Sequence, residues 1–290
     1  MKLTNRLNLP QAIVSAISND DYSRGECDLS VTQLITPPRK VELQRLHDDE
    51  IIEDVADRIW ILVGKAVHSI LEAAGSDDLK EERLFMDALG WRISGAFDNL
   101  ALIQAGADLW KISDYKVTSA WSVVFADGKT DWEAQINCYA HLLRLHSFPV
   151  SELEIVAICR DWRKTEALKN PDYPQSQVAV IPIRLWSSAE AQAFIVERVR
   201  LHQQAREGGE LPLCTAEERW ERPTKWAFLK QGAKRATKLC NTQDEAEALL
   251  KPGYRIERRD GESTRCKSYC SALPFCGQGA GLVDTSSEEE

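Results

Sequence analysis

The hydrophobic pattern changes period repeatedly along this chain, and that alternation limits the fold more than any single motif. Residues 41–73 carry Ile51, Val55 and Ile59, then Val67, Ile70 and Leu71, at helical 3–4 spacing. Gly64 interrupts the run, which predicts two helices or a kink. Gly75 and Ser76-Asp77-Asp78 end it. Glu82–Met86, Trp91–Phe97 and Leu109–Val117 then read as strands, joined by Leu89-Gly90 and by Ala105-Gly106-Ala107. Trp132–Leu145 returns to the helical period, with Ile136, Tyr139, Leu142 and Leu143 on one side. Leu153–Cys159 and Val178–Leu185 are apolar and β-branched, and Ala189–Arg206 is a helix stopped by Gly208-Gly209. Helix, meander, helix, strand, strand, helix predicts an α/β core with a mixed central sheet, about 170 residues long and so of ordinary domain size.

The rest of the chain frames that core. Residues 1–30 are a polar lead with an apolar patch at Ala12-Ile13-Val14, and Pro37-Pro38 break the chain after Val31–Ile35. After Pro212 the text becomes basic and cysteine-bearing, and Thr242-Gln243-Asp244-Glu245 reads as a capping box opening a helix through Leu250. The expected division is a lead (1–30), a core (31–207), a C-terminal module (208–281) and an acidic tail (282–290). With 43% hydrophobic and 28% charged residues, the 290-residue chain is neither disordered nor collagen-like. No apolar run reaches the ~18 residues of a membrane helix. Met1–Asp20 lacks the apolar stretch of a secretory signal, so a cytoplasmic location is expected, without membrane partners.

Chemistry concentrates between Gly64 and Tyr139. Asp98 follows the second strand, and Asp114-Tyr115-Lys116 lies on the next. Strand side chains alternate, so Asp114 and Lys116 share a face and Tyr115 points away. With Asp98 on the adjoining strand, two carboxylates and an ammonium converge. Hard oxygen ligands of this kind suit Mg²⁺ or Mn²⁺, and His68 on the preceding helix adds a nitrogen that favours Mn²⁺. Such a site suits phosphodiester hydrolysis, with Lys116 orienting or deprotonating the attacking water, or offsetting transition-state charge. Gln135 and Tyr139, four residues apart on one helix, face the same way. Glu81 or Glu82 offers a further carboxylate, although a solvated hairpin explains both. Walker A, GxGxxG and GxSxG signatures are absent, so any helicase or recombinase partner is a separate chain.

The ordered set Gly64-x3-His68-x3-Glu72, Gly95-x2-Asp98, Asp114-x-Lys116 and Gln135-x3-Tyr139 resembles the RecB-like branch of the PD-(D/E)XK nuclease superfamily, which includes CRISPR-associated exonucleases and phage-encoded relatives. The resemblance follows the order of elements over roughly residues 30–280. It implies a restriction-endonuclease-like core and metal binding by His68, Asp98 and Asp114 with the Tyr115 carbonyl. It also implies a catalytic Lys116, with Gln135 and Tyr139 supporting the site and contacting DNA. The implied activity is metal-dependent DNA hydrolysis, exonucleolytic, in phage or bacterial recombination, replication or repair. An endonuclease of the same fold, a DNA-binding accessory protein that keeps the fold, and a zinc-stabilised interaction module are the alternatives.

The chain has eight cysteines. Cys138 and Cys159 sit in apolar text and read as small core residues. Cys266-x3-Cys270-x5-Cys276 has the density of a metal site. Four thiolates are needed for an all-cysteine Zn²⁺ site or a [4Fe–4S] cluster. Cys214 is the preferred fourth, ahead of Cys240 and Cys27. Iron–sulfur RecB-like nucleases resemble this arrangement, which implies [4Fe–4S], with Zn²⁺ as the alternative. Two departures stand out. The family's distant cysteine precedes the core, where this chain has Thr36-Pro37-Pro38-Arg39, and its trio opens with two intervening residues rather than three. The net charge is −9, from 36 basic and 45 acidic residues, yet Arg222–Lys238 holds six cations and no acid. With Trp226 and Phe228 among them, Lys225, Trp226 and Lys230 are candidate DNA contacts.

Overall fold

Leu89 and Gly90 both adopt positive φ, +50° and +78°, and so fold the chain back on itself between Ala88 and Trp91, which pair directly. Two central residues in the left-handed region match the right-handed twist of the strands they join. That hairpin belongs to a longer series of elements in a computed structural model that describes residues 1–19, 23–74, 79–80, 82–104, 109–125 and 129–283. The first are β1 (Lys2–Thr4), α1 (Gln11–Ser18), β2 (Leu29–Ser30), α2 (Val31–Ile35), α3 (Pro38–Leu46), β3 (Ile52–Asp54) and α4 (Ile59–Ala73). A meander follows: β4 (Leu79–Lys80), β5 (Arg83–Ala88), β6 (Trp91–Ala96), β7 (Asn99–Gln104) and β8 (Leu109–Thr118). Then come α5 (Ala120–Val124), α6 (Thr130–Leu145), β9 (Val150–Cys159), α7 (Lys164–Ala167), β10 (Val178–Ile183) and α8 (Ser188–Arg206). The remainder is β11 (Glu221–Arg222), β12 (Lys225–Lys230), β13 (Lys238–Cys240), α9 (Gln243–Glu247), β14 (Tyr254–Arg259), β15 (Glu262–Ser263), α10 (Thr264–Tyr269) and α11 (Gly277–Val283).

The chain divides into two compact units, residues 2–36 with 52–209 and residues 37–51 with 210–290 and Met1. The expected lead therefore folds with the core, and 37–51, expected within the core, groups with the C-terminal segment. The turns expected at Gly75–Asp78 and Ala105-Gly106-Ala107, Glu81, and the tail from residue 284 lie outside the described residues.

The larger unit is a mixed α/β fold. Its main sheet has the order β10-β9-β8-β7-β4 and a smaller one β2-β6-β5. β8 and β9 run parallel in register from Lys111↔Glu152 to Thr118↔Cys159, and the other neighbours in the main sheet are antiparallel. A parallel pair needs a crossover, and α6 supplies it. Its Ile136, Leu142 and Leu143 are buried with Ile93, Ile112 and Ile155. Buried Asn137 pins the approach to α8: its amide donates to the Glu133 and Arg184 carbonyls, and its carbonyl accepts the Trp186 amide at 2.7 Å. From α8, Arg198 and His202 satisfy the Leu34 carbonyl, and Arg198 also that of Thr36, completing the C-terminal end of α2. Cys138 and Cys159 are buried as expected, and burial pushes the Cys138 thiol up to about 12.

The break in the run from 41 to 73 falls elsewhere than expected. α4 passes through Gly64 unbroken, and the interruption is the turn and strand between Leu46 and Ile59. A single helical glycine costs only about 1 kcal/mol, which a fifteen-residue helix can absorb. β7 was not expected at all.

In the smaller unit, α3 packs on the C-terminal segment. The Arg39 guanidinium donates to the Leu211 and Pro212 carbonyls, the Gln44 amide donates to Ser271 Oγ, and the His47 ring stacks on Phe275 at 4.0 Å. A three-stranded sheet, β13-β12-β14, completes it. α9 is capped by Thr242 but spans only Gln243–Glu247, short of the expected Leu250.

In the larger unit, buried Asp54 ties β1 to β3. Its carboxylate accepts the Thr4 hydroxyl at 2.7 Å and the Arg6 and Ala56 amides. These donors, the Arg6 amide first, hold its pKa down at about 2. A depressed carboxylate stabilises the fold above its unfolded pKa of about 4, and that contribution is lost as pH falls toward 2. The melting temperature should therefore drop across that acid window. Asp54→Asn should lower it at neutral pH and flatten the acid part of the profile.

Candidate active site

Strand pairing leaves one backbone amide to be satisfied where β7 ends its contact with β8. Their ladder begins at Asn99↔Ser113, so the Tyr115 N–H lies beyond it. Asp98, in the link between β6 and β7, fills the gap: its Oδ2 accepts the Tyr115 amide at 2.8 Å. The other carboxylate oxygen lies 3.3 Å from His68 Nδ1, on α4. Hydrogen bonding to Asp98 raises the His68 pKa, against the opposing effect of burial. The Tyr115 ring meets His68 edge-on at 6.4 Å.

Asp114 and Lys116 share a face of β8. Asp114 is 2% exposed. Burial raises its pKa, and the nearby Lys116 charge works in the other direction. The Lys116 ammonium stands 2.7 Å from Asp114 Oδ2, but its direction is poor for a hydrogen bond, and that buried oxygen receives no donor. The ammonium is better directed toward Gln135, donating to Oε1 at 2.8 Å, and the Gln135 amide donates to the Tyr139 hydroxyl at 2.9 Å. The i, i+4 pair on α6 thus extends from the lysine in a continuous chain of hydrogen bonds.

The donor set suits a hard cation. Two donors 3.3 Å apart, His68 Nδ1 and Asp98 Oδ1, are near the roughly 3 Å that separates adjacent ligands on an ion with ~2.1 Å bonds. The undonated Asp114 oxygen is a further acceptor beside them. As the side chains stand, however, no group of three or more His, Cys, Asp or Glu among the described residues is placed to hold a metal ion. Glu72 and Glu82 are exposed.

Gly95, noted in the sequence only as part of a spacing, has a packing reason. A Cβ there would meet Leu142 Cδ1 at 2.5 Å and Tyr139 Cδ1 at 3.0 Å. Only a bare backbone lets α6 lie this close to β6, and α6 carries Gln135 and Tyr139.

In the smaller unit, Cys214, Cys266, Cys270 and Cys276 line one cavity, with Arg39, Lys40, Arg219 and Arg265. Burial pushes the Cys214 thiol up to about 12, with Glu218 and the Cys276 and Cys266 thiols adding to it. Cys276 Sγ also accepts the Gly279 amide at 3.4 Å. The four thiols suit a bound cation, which would take them as thiolates, and the cationic lining offsets that charge. The signal the sequence reading missed is that lining. The alternatives lie elsewhere: Cys240 pairs across the sheet with Trp226, and Cys27, in the larger unit, contacts Ser94.

The basic stretch forms β12. Lys230 is exposed, Trp226 is half-buried, and the Lys225 ammonium donates to Asn241. Phe228 corrects the sequence reading: it is 5% exposed and stacks on Tyr254 at 4.6 Å, so it is a core ring with no face free for a base.

No family model and no curated protein matches this chain. A solved structure described as "Crystal structure of SSO0001" overlaps it with a TM-score of 0.42 at 15% identity, covering 66% of this chain and 82% of that one. Among the described residues, no helix is long and apolar enough to cross a membrane.

Gly95→Ala should destabilise the larger unit by about 1–3 kcal/mol in chemical denaturation, through overpacking against Leu142 and Tyr139. Combining it with Leu142→Ala should cost less than the two single changes together. Simple additivity would show that the close approach is not limiting.

Proposed function

We propose that this chain is a metal-dependent deoxyribonuclease with a restriction-endonuclease-like core, of the RecB-like branch of the PD-(D/E)XK superfamily. It acts as an exonuclease in phage or bacterial DNA recombination, replication or repair, alongside any helicase or recombinase in a separate chain. The observation that carries this reading is the Lys116–Gln135–Tyr139 chain beside the buried Asp114, with Asp98 and His68 on the same site.

His68, Asp98 and Asp114, with the Tyr115 carbonyl, would hold Mg²⁺ or Mn²⁺. Such an ion, when bound, neutralises a scissile phosphate and lowers the pKa of bound water. The protein's own groups divide the remaining work. The Tyr115 amide fixes the Asp98 carboxylate, so its orientation does not depend on solvent. Gln135 holds the Lys116 ammonium at the edge of the site, where it can orient the attacking water and offset charge that develops on the phosphate. Tyr139 fixes Gln135 in turn. The four-cysteine cavity would hold a [4Fe–4S] cluster, or Zn²⁺, as a structural group of the smaller unit.

End-labelled single- and double-stranded DNA should be cleaved in Mg²⁺ or Mn²⁺ and spared in EDTA. Lys116→Ala should abolish cleavage and leave DNA binding largely intact, because the lysine acts on the transition state more than on the ground state. Asn at Asp98 or Asp114 should lower both metal affinity and cleavage. DNA binding by the wild-type protein with no cleavage under any of these conditions would instead favour an accessory protein. Protein made anaerobically should be brown, and Cys270→Ser should lose the colour. Stoichiometric zinc in colourless protein would reassign the group.

A further inference from the structure

The carboxyl ends of a parallel strand pair open a crevice in an α/β sheet, and here they carry aromatic rings that the core does not use. β8 continues only two residues past Lys116 to Thr118, about 7 Å of strand. Two loops meet there. The Arg160 amide donates to the Thr118 carbonyl at 2.9 Å, and Asp161 accepts the Ala120 amide at 2.7 Å. These bonds fix the start of α5 against the loop that leaves β9.

Three exposed rings stand at this rim, with a fourth buried beneath them. Trp121 is 47% exposed and Phe125 66% exposed, and they stack at 6.3 Å with planes 23° apart. Tyr173, buried beneath, braces Trp121 edge-on at 5.5 Å. On α4, the helix that carries His68, Trp60 is 51% exposed, with the Arg160 guanidinium 4.4 Å from its ring centre. Packing does not explain so much exposed aromatic area around one site. The neighbouring charge is positive. Between Arg160 and Lys169, Arg160, Arg163, Lys164 and Lys169 outnumber Asp161 and Glu166, and all four cations are exposed in a chain of net charge −9.

Resting on the nuclease reading of the adjacent site, we infer that Trp60, Trp121 and Phe125 with Arg160 form a stacking platform that delivers single-stranded nucleic acid to Lys116. Paired bases inside a duplex have both faces covered by their neighbours, so rings on a platform of this kind engage unpaired bases along a strand. Arg160 contributes twice, as a cation over Trp60 and as a phosphate contact. The platform selects for an unpaired end and is indifferent to base sequence, because every base has a π face.

The test compares the binding of labelled oligo-dT with that of an abasic oligomer of the same length, by fluorescence anisotropy in EDTA. Oligo-dT should bind more tightly. Trp121→Ala and Trp60→Ala, on different elements, should each weaken oligo-dT binding by about 5- to 150-fold and leave abasic binding unchanged. Trp121→Phe should retain most of the affinity. Equal affinity for the two oligomers, equal losses on both in the variants, or no binding to either overturns the platform. Cleavage is read separately in Mn²⁺. A base preference without cleavage supports the platform and rejects the nuclease reading, whereas cleavage without a base preference rejects the platform alone.

Discussion

The parallel pairing of β8 with β9 is the constraint on which the larger unit depends. Two neighbouring strands that run the same way cannot be joined by a tight turn. The chain must leave the end of β8, cross the sheet and re-enter at the start of β9. That return path is α6, so the helix above the site is a topological requirement before it is a functional one. Once α6 lies there, Gln135 faces Lys116 and Tyr139 faces Gly95. The absence of a side chain at residue 95 then sets how closely helix and sheet approach. The hydrogen-bonded lysine, the buried carboxylate beside it and the aromatic rim past Thr118 all follow from one strand pair and its crossover.

Much of this was legible in the chain because local pattern and tertiary environment agree. The four residues read as the inner side of α6, Ile136, Tyr139, Leu142 and Leu143, are all buried. The alternation that puts Asp114 and Lys116 on one face of β8 holds, and so does the grouping of Cys214 with the C-terminal trio. Where the reading failed, distant contacts outweighed local pattern. Gly64 looked like a helix break, yet α4 runs through it. The real break precedes Ile59, where Ile52–Asp54 is recruited to pair with Lys2–Thr4 from the start of the chain. β7 went unread because Asn99–Gln104 is held by its pairing with β8 and not by any alternation of its own. Phe228 looked available to a base because its basic neighbours suggested an open surface, while burial of three successive residues on β12, Ala227 to Leu229, and the ring of Tyr254 enclose it.

The two clusters of ionisable groups solve opposite electrostatic problems. Around Asp114 the protein buries a carboxylate and compensates it with one ammonium, imperfectly directed, leaving an acceptor undonated. Around the cysteines it gathers four thiols beside guanidinium and ammonium groups, and burial, with neighbouring thiols adding to it, raises the pKa values of Cys214 and Cys266. In both places a cation of higher charge would relieve a cost that the side chains meet only in part.

The assignment of residues 37–51 to the smaller unit has a consequence for the order in which the protein can be completed. This segment leaves the ribosome well before Leu211, Pro212, Ser271 and Phe275, to which it is bonded or stacked. At roughly 5–20 residues per second, the ~160 residues in between take on the order of 10–30 s to synthesise. During that interval α3 has no partner, and its buried face, Val41 and Leu43, is open to water. The larger unit, whose own segments end at residue 209, can fold first. The smaller one must wait for the segment from residue 210 on, so a chain stopped at residue 209 would keep the catalytic candidates and lose the cysteine cavity.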